Sequence, residues 1–173
     1  MNASGGSDVD RTTGLIRHLA ARGLTVAVAE SLTGGLLAAE LIRPAGASAV
    51  VIGGVVAYHT DIKRSVLGVD AALLAEHGAV HPLVAEQMAA GARTLLSVDG
   101  RPADIGVSTT GVAGPDPQDG RAPGTVFLGL SMAGGTRSLG LTLSGDRDTI
   151  RRDTVAAAVD FLTAITGAGA AGS

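Results

Sequence analysis

The sequence predicts a single α/β domain, a sheet flanked by helices, and three observations lead to this expectation. The chain has 173 residues, which is the usual length of one domain. Short apolar runs rich in valine alternate with longer amphipathic segments, as strands and helices do in α/β chains. Aromatic residues make up only 2% of the composition and glycine occurs 26 times, so the core must be built from Val, Leu, Ile and Ala.

The order of the elements follows from the apolar patterns and from the turn residues between them. We expect one domain over residues 8–167, with flexible tails at 1–7 and 168–173. The predicted elements are a helix from Asp8 or Asp10 to Arg22, a strand at 24–29, a helix at 36–42, a strand at 50–57, short helices at 60–66 and 69–77, a helix from Pro82 to Val98, a strand at 103–110, a hairpin of strands at 126–132 and 138–143, and a helix ending at Thr166.

Composition and charge argue against several classes of protein. The net charge is −3 and no basic block is present, so we expect no nucleic-acid partner. The absence of cysteine removes disulfides, thiolate zinc sites and cysteine nucleophiles. No apolar run approaches the ~18 residues of a membrane span, and residues 1–10 are polar. These features predict a cytoplasmic protein without a membrane partner.

The only lysine and the only tyrosine of the chain lie five residues apart, at Lys63 and Tyr58. The other twelve of the thirteen basic residues are arginines. A buried lysine can lose its proton, whereas an arginine in a protein cannot. Chance is the alternative explanation of a lone lysine, but its closeness to the only tyrosine, after an apolar run, favours a functional site.

A neutral lysine can act as the base for a serine nucleophile. Ser48 lies in a turn of small residues before the second predicted strand, where it is open to a ligand. If Tyr58 ends that strand and Lys63 lies on the short helix after it, both face the same cleft as Ser48. These three side chains are sufficient for hydrolysis of an amide or an ester.

A loop at Ser31–Gly35 leads from the first predicted strand into a helix. Hydroxyl groups and glycine N–H groups at a helix start favour an anion, because the free donors and the helix dipole act together. Thr33, Gly34 and Gly35 are therefore candidates for substrate binding. The equally weighted alternative is a capping hydroxyl with glycines that only permit the turn.

The strand at 103–110 ends in similar residues, Thr110 and Gly111. Ligands of α/β sheets bind at the carboxyl ends of the strands, so two ends with the same chemistry indicate one shared cleft. The polar loop at 117–123 is a candidate lid over that cleft.

Two further clusters of polar residues have several explanations. His77 and His81 have a spacing that binds metal on a helix, but a glycine and a proline interrupt that helix, which favours capping or loop roles. We expect no metal. Arg147, Arg151 and Arg152 cluster at the start of the last helix, where the dipole disfavours cations, and this indicates an anionic partner.

Six blocks of the sequence follow one another along the chain: AESLTGG at 29–35, GGVVAY at 53–58 with Lys63, EHGAV at 76–80, TGVAGPD at 110–116, PGTV at 123–126 and SGDR at 144–147. Together, in this order, they resemble the CinA C-terminal-domain family, the nicotinamide-nucleotide amidohydrolases (NMN deamidases). The resemblance extends from about Asp8 to Thr166 and implies a single α/β domain of helices and a sheet.

This resemblance implies hydrolysis of the carboxamide of nicotinamide mononucleotide to nicotinic acid mononucleotide and ammonia, in pyridine nucleotide recycling. It implies no cofactor and no metal, and it implies a homo-oligomer, since family members commonly form dimers or larger assemblies. Many members also carry a larger N-terminal domain linked to nucleotide pyrophosphatase activity. The sequence starts directly in the C-terminal domain, so we expect that second activity to be absent.

The resemblance also assigns roles to individual residues. Ser48 would be the nucleophile, Lys63 its base and Tyr58 an aid to proton transfer. Ser31 and Thr110 would orient the substrate or polarise its carbonyl. The remaining expectations are that Arg147 holds substrate or orders the site and, from helix-terminus physics, that the phosphate lies on Ser31–Gly35.

Two classes of function therefore compete. The first is the amidohydrolase, and the second is a non-catalytic nucleotide-binding or interaction module linked to competence or DNA damage, as the family name implies. Lys63 beside Tyr58 favours the enzyme, because a binding module does not need a lysine that can lose its proton. A Rossmann-type dinucleotide binder is disfavoured, because Ser31–Gly35 lacks the G-x-G-x-x-G pattern.

Overall fold

A five-stranded sheet organises the chain. The computed structural model describes residues 6–168, and its strand order is β2-β1-β3-β4-β5. The first three strands are parallel to one another, and the last two continue the sheet antiparallel. The strands are β1 Val26–Glu30, β2 Val51–Val56, β3 Ile105–Gly111, β4 Thr125–Met132 and β5 Gly135–Thr142.

Helices cover both faces of this sheet, which confirms the predicted α/β fold. A short 3-10 turn at Ala47–Ala49 precedes β2. The helices are α1 Gly6–Ala21, α2 Leu36–Ile42, α3 Thr60–Ser65, α4 Ala71–His77, α5 Pro82–Leu95 and α6 Arg147–Thr166. Residues 1–5 and 169–173, which form most of the two predicted tails, lie outside the described residues, as do the side chains of Asp8 and Asp10 at the predicted start of the first helix.

The differences from the predicted bounds have local causes. Helix α5 ends at Leu95 rather than at Val98, because Val98 pairs with Arg101 across a tight turn. Strand β5 starts at Gly135 because Gly135 pairs directly with Met132, so the hairpin turn is shorter than predicted. Helix α3 begins at the predicted residue 60, and its cap is the His59 side chain, which accepts from the Asp61 N–H.

The core has two layers because successive side chains of a strand point to opposite faces. Val26 and Val28 pack with α1, α2 and α6 on one face of the sheet. Ala27 and Ala29 point to the other face, where α5 lies. None of the helices within residues 6–168 has the length and the apolar character that crossing a membrane requires.

The parallel strands place their carboxyl ends at one edge of the sheet, where ligands of such sheets bind. Ser31 follows β1, Tyr58 follows β2, and Thr110 lies at the end of β3. Ser48 precedes β2 and therefore lies at the opposite edge.

Candidate active site

Lys63 is the centre of the candidate site. It is on α3 and is only 1% exposed, which makes it one of the largest fully buried side chains of the described residues. Its Nζ lies 2.8 Å from Ser31 Oγ and donates to the Ala57 carbonyl at 2.6 Å. The structure thus joins the carboxyl ends of β1 and β2 through an amine–hydroxyl contact.

Burial changes the acid–base behaviour of this amine. Removal from water disfavours the ammonium form and lowers the pKa of Lys63 to about 8, while the Asp119 carboxylate acts in the opposite direction. An amine with this pKa is partly neutral near neutral pH. It can therefore accept a proton from Ser31, whose side chain is also buried, at 8% exposed.

The structure contradicts the predicted pairing of Ser48 with Lys63. Ser48 lies in the exposed 3-10 turn before β2, whereas Lys63 follows that strand. Six residues of extended chain separate the two edges of the sheet, and six residues of strand span about 20 Å. The hydroxyl that Lys63 contacts is that of Ser31, which the sequence placed in the same site but in a supporting role.

The start of α2 is occupied by a carboxylate of the chain itself. Glu30 is 1% exposed, and its Oε2 accepts from the N–H groups of Gly35 and Leu37 at 3.0 Å each. Its Oε1 accepts from the Ala38 N–H at 2.8 Å. Because this carboxylate already satisfies the donors and the dipole, a phosphate there would meet a negative charge. The predicted phosphate position on Ser31–Gly35 is therefore contradicted.

The other predicted binding residues of that loop have structural partners. Thr33 is fully buried, and its Oγ1 lies 2.8 Å from Thr109 Oγ1. Gly34 and Gly35 have positive φ angles of 58° and 101°, which the turn into α2 requires. None of the three is among the residues that line the cavity next to Ser31. The glycines permit the turn, as the alternative explanation predicts, but the groups at the start of α2 are satisfied by the Glu30 carboxylate and not by a capping hydroxyl.

Thr110 contributes a hydroxyl whose hydrogen is already bonded within the protein. It is 1% exposed, and its Oγ1 donates to the Ala79 carbonyl at 2.7 Å. The lone pairs of that oxygen remain free, so Thr110 can accept a hydrogen bond from a ligand but cannot donate one. Thr110 and the adjacent Gly111 both line the cavity beside Ser31, as the sequence predicts for one shared cleft.

Tyr58 and Arg147 form the outer wall of the cavity. Tyr58 is 60% exposed, and its hydroxyl accepts from Arg147 Nη2 at 3.0 Å. Arg147 Nη1 donates to the Gly114 carbonyl at 2.8 Å. The tyrosine hydrogen and the remaining guanidinium donors are available to a ligand. Tyr58 and Arg147 line the same cavity as Ser31.

The other two arginines of the predicted cluster serve the fold. Arg151 donates from Nε to the Leu32 carbonyl at 3.0 Å and from Nη2 to the Thr33 carbonyl at 3.1 Å. Arg152 lies 3.9 Å from Asp148 in an exposed ion pair. Of the three arginines in this cluster, Arg147 therefore remains the candidate for binding an anionic partner.

The cavity has a volume of about 260 Å³ and lies at the carboxyl edge of the sheet. It is lined mainly by polar groups and by the backbone of the loop after β3. Its walls include Ser31, Leu32, Tyr58, His59, Thr110, Gly111, Asp116, Gln118 and Arg147. The backbone N–H of Leu32 has no acceptor within residues 6–168, so it can donate to a ligand.

The two histidines that the sequence singled out are a stacked pair. The ring centroids of His77 and His81 are 4.5 Å apart with an interplanar angle of 14°. Nδ1 of His81 accepts from the Leu83 N–H and so caps α5, which agrees with the capping role. Burial, the neighbouring His77 and Arg121 all lower the pKa of His81.

Sequence reasoning missed Glu30 and Asp119. Glu30 is the last residue of β1, one residue beyond the predicted strand at 24–29, and the sequence assigns it no role. Asp119 lies in the predicted lid, and its Oδ2 accepts from the Ala79 N–H at 3.0 Å. The Asp-Gly pair at 119–120 is a strong turn signal and could have located that carboxylate.

Three comparisons relate this chain to known proteins. A model of the CinA C-terminal domain matches residues 10–166. A CinA-like protein of Frankia casuarinae is 46% identical over 158 residues, which are 91% of this chain and 35% of that protein. The chain spans about a third of the length of the curated relatives that it matches.

Solved structures match over nearly their whole length. A competence-damaged protein (CinA) superfamily protein of Klebsiella pneumoniae superposes with a TM-score of 0.86 at 34% identity, covering 92% of this chain and 98% of that one. The competence/damage inducible protein CihA of Agrobacterium tumefaciens gives a TM-score of 0.85 at 36% identity, covering 95% and 99%. With a family model over most of the sequence and the same fold in these relatives, the chain belongs to the CinA C-terminal domain family.

Proposed function

We propose that this domain hydrolyses the carboxamide of nicotinamide mononucleotide to nicotinic acid mononucleotide and ammonia, with Ser31 as the nucleophile and Lys63 as its base. The observation that carries the proposal is the 2.8 Å contact between Lys63 Nζ and Ser31 Oγ, at a lysine that is buried. The carboxamide substrate is the one that the resemblance to the amidohydrolases implies. The cavity beside Ser31 has room for a nicotinamide ring.

In the first half of the reaction, the neutral Nζ of Lys63 takes the hydroxyl proton as Ser31 Oγ attacks the carboxamide carbon. The carbonyl electron pair moves to oxygen, and the Leu32 N–H is the donor available to that oxyanion. The intermediate then collapses: the C–N bond breaks, the Lys63 ammonium returns its proton to nitrogen, and ammonia leaves. An ester on Ser31 remains.

In the second half, a water molecule attacks the ester carbon while Lys63 removes one of its protons. The bond from carbon to Ser31 Oγ breaks, and Lys63 returns the proton to Oγ. The acid product leaves, and the pair is restored. Lys63 thus acts twice as base and twice as acid, which suits an amine whose pKa of about 8 is close to neutral pH.

The remaining side chains of the cavity orient the substrate. Thr110 accepts from the carboxamide N–H, because its own hydrogen is bound to Ala79. Thr110 therefore does not polarise the carbonyl of the substrate, because that role requires a free hydrogen-bond donor. Arg147 and the Tyr58 hydroxyl bind the charged or polar end of the substrate at the outer wall. The Tyr58 side chain is 60% exposed and its hydroxyl is hydrogen-bonded to Arg147, so we assign it to substrate binding and not to proton transfer.

The first test is ammonia release from nicotinamide mononucleotide by the purified protein, with and without a chelator. We expect release that survives chelation. Ser31→Ala should lower kcat by at least about 10³-fold, since loss of a nucleophile has effects of that order. Lys63→Arg should be equally inactive, because it keeps the charge but cannot lose the proton. Ser48→Ala is the matched control and should retain wild-type turnover.

Two outcomes would contradict the proposal. Loss of turnover in Ser48→Ala with retention in Ser31→Ala would reject Ser31 as the nucleophile. No ammonia from a folded and correctly assembled wild type would reject this substrate. That second outcome would favour a different amide or the non-catalytic binding module. Circular dichroism of each variant excludes loss of fold as the cause.

A further inference from the structure

Thr110 and Ser31 are neighbours across the β1–β3 pair. Glu30 is in register with Thr109, and the Ser31 N–H donates to the Thr109 carbonyl at 3.0 Å, so the parallel pairing continues by one residue. Adjacent strands lie about 5 Å apart, and residues at the same register point to the same face. Both side chains also line the cavity, so a group that reacts with Ser31 lies beside Thr110.

The Thr110 hydroxyl is fixed as an acceptor. Thr110 is 1% exposed, and its Oγ1 donates its hydrogen to the Ala79 carbonyl at 2.7 Å. Ala79 is held on its other side as well, because its N–H donates to Asp119 Oδ2 at 3.0 Å. With its hydrogen bound to this anchored carbonyl, the hydroxyl offers only lone pairs to a ligand in the cavity.

A donor is available next to this acceptor. Within residues 6–168, the N–H of Leu32, directly after Ser31 in the chain, has no acceptor. The reacting centre therefore combines one donor with one acceptor. A primary carboxamide has the matching groups, a carbonyl oxygen and an NH₂. A carboxylate has two acceptor oxygens and no hydrogen, so one of its oxygens meets the lone pairs of Thr110.

We propose that Thr110 is the specificity-determining residue of the site: its acceptor-only hydroxyl selects a primary carboxamide and disfavours any group without an N–H, including the acid product. This rests on the proposed function, in which the amide is the substrate and the acid is the product. The mismatch is absent from the substrate and present in the product, so it weakens retention of the acid after hydrolysis.

Lys63 acts on the acid in the opposite sense. Its Nζ lies 2.8 Å from Ser31 Oγ, and its ammonium form attracts a carboxylate. The affinity of the acid in one protein alone therefore does not isolate Thr110. A neutral probe does: 3-acetylpyridine mononucleotide carries a methyl ketone in place of the carboxamide. It keeps the carbonyl oxygen and nearly the same shape, and it lacks only the amide hydrogens.

The test is a thermodynamic cycle of protein and ligand variants. Calorimetric titrations measure the Kd of the amide, acetyl and acid mononucleotides, in proteins that all carry Ser31→Ala so that the amide is not consumed. Thr110→Val removes the acceptor at nearly constant shape, and Thr110→Ser restores it. Ser108→Ala is the matched control, because Ser108 lies on the same face of β3, donates to the Ala85 carbonyl at 2.6 Å and does not line the cavity.

The amide should bind about fivefold or more tightly than the acetyl analogue when Thr110 is present, which is the effect of one buried hydrogen bond and of an acceptor left unpaired without it. Thr110→Val should bring this ratio close to one. It should also tighten the acid relative to the amide by a similar factor, since Lys63 is the same in both proteins. Thr110→Ser and Ser108→Ala should retain the preference.

An amide preference that is unchanged in Thr110→Val would overturn the inference. Equal or undetectable binding of the amide and the acetyl analogue to the protein with Thr110 would do the same, and this comparison decides even if Thr110→Val does not fold. The titrations need no turnover. Absence of ammonia from the wild type, together with an intact amide preference, would therefore count against hydrolysis alone.

Discussion

At the scale of single residues, the burial of Lys63 has a cost that depends on pH. The pKa of this amine is about 8 in the folded protein and near 10.5 when it is exposed. Between these values the unfolded chain binds more protons than the folded one, so stability rises with pH. The penalty is complete below about pH 8 and amounts to roughly 3 kcal/mol there.

We therefore predict that the free energy of unfolding of the wild type increases between pH 8 and pH 10. Lys63→Met should lack this increase, because it has no proton to lose. Urea titrations of both proteins across this range measure the effect. The comparison concerns the slope with pH, so the hydrogen bonds that Lys63→Met also loses do not disturb it. Equal slopes would show that the lysine is not held in a neutral form by burial.

The sequence predicts the proposed base, Lys63, but not the hydroxyl that this lysine contacts. Composition alone distinguishes Lys63, because it is the single lysine of an arginine-rich chain. Ser48 is near Lys63 along the chain, and the resemblance implies that it is the nucleophile, so the sequence favours this serine over Ser31. The strand between Ser48 and Lys63 turns a short separation in sequence into a long one in space, whereas β1 and β2 run parallel and bring Ser31 close.

At the scale of elements, the start of α2 shows how one sequence pattern supports two interpretations. Hydroxyls and glycines before a helix are typical of an anion site and equally of a capped turn. Glu30 decides between them, because its carboxylate accepts three N–H groups there. The sequence could not show this, since Glu30 also fits the end of a strand and its side-chain direction depends on the register of β1.

The close contact between α5 and the sheet depends on residues without side chains. A Cβ at Gly129 would lie 2.1 Å from the Ala85 carbonyl of α5. We expect Gly129→Ala to lower the free energy of unfolding by about 1–3 kcal/mol or more, because backbone must move to admit the methyl group. Gly134→Ala is the control, since nothing lies within 4 Å of its Cβ position. Chemical denaturation measures both, and a Gly129→Ala protein as stable as Gly134→Ala would contradict the packing argument.

Regular elements were the easiest part to predict. Helix α2 has the predicted bounds, and the hairpin of β4 and β5 follows from alternating residues around a glycine turn. The errors at element ends come from turns that begin sooner than composition suggests, as at Val98. Local pattern determines where an element lies, while pairing with distant segments determines where it stops.

At the scale of the whole molecule, Arg147 links the last helix to the site. It joins α6 to the loop after β3 through Gly114 and to the residue after β2 through Tyr58. The cavity therefore needs the start, the middle and the end of the chain in place together. Its charged wall exists only once α6 has packed.

We predict that Arg147→Lys raises KM for the mononucleotide about tenfold or more, with a smaller fall in kcat. Lysine keeps the charge but cannot hold Gly114 and Tyr58 while also contacting substrate, and the loss of one charge-assisted hydrogen bond has an effect of this size. Arg137→Lys, on exposed β5, is the control and should leave both constants unchanged. Steady-state kinetics of ammonia release provides the measurement, and a fall in kcat at constant KM would instead assign Arg147 to the chemical step.

The single buried lysine has one more consequence, for covalent damage. Every other positive side chain is a guanidinium or an imidazole, so the folded protein offers no exposed ε-amine to acylating agents, cyanate or reducing sugars. Lys63 is intrinsically a good nucleophile with its low pKa, but it is 1% exposed, so a reagent too large to enter the cavity beside Ser31 reaches it only when α3 opens. The rate at which such a reagent acylates Lys63 therefore measures local opening of the segment that carries the proposed base.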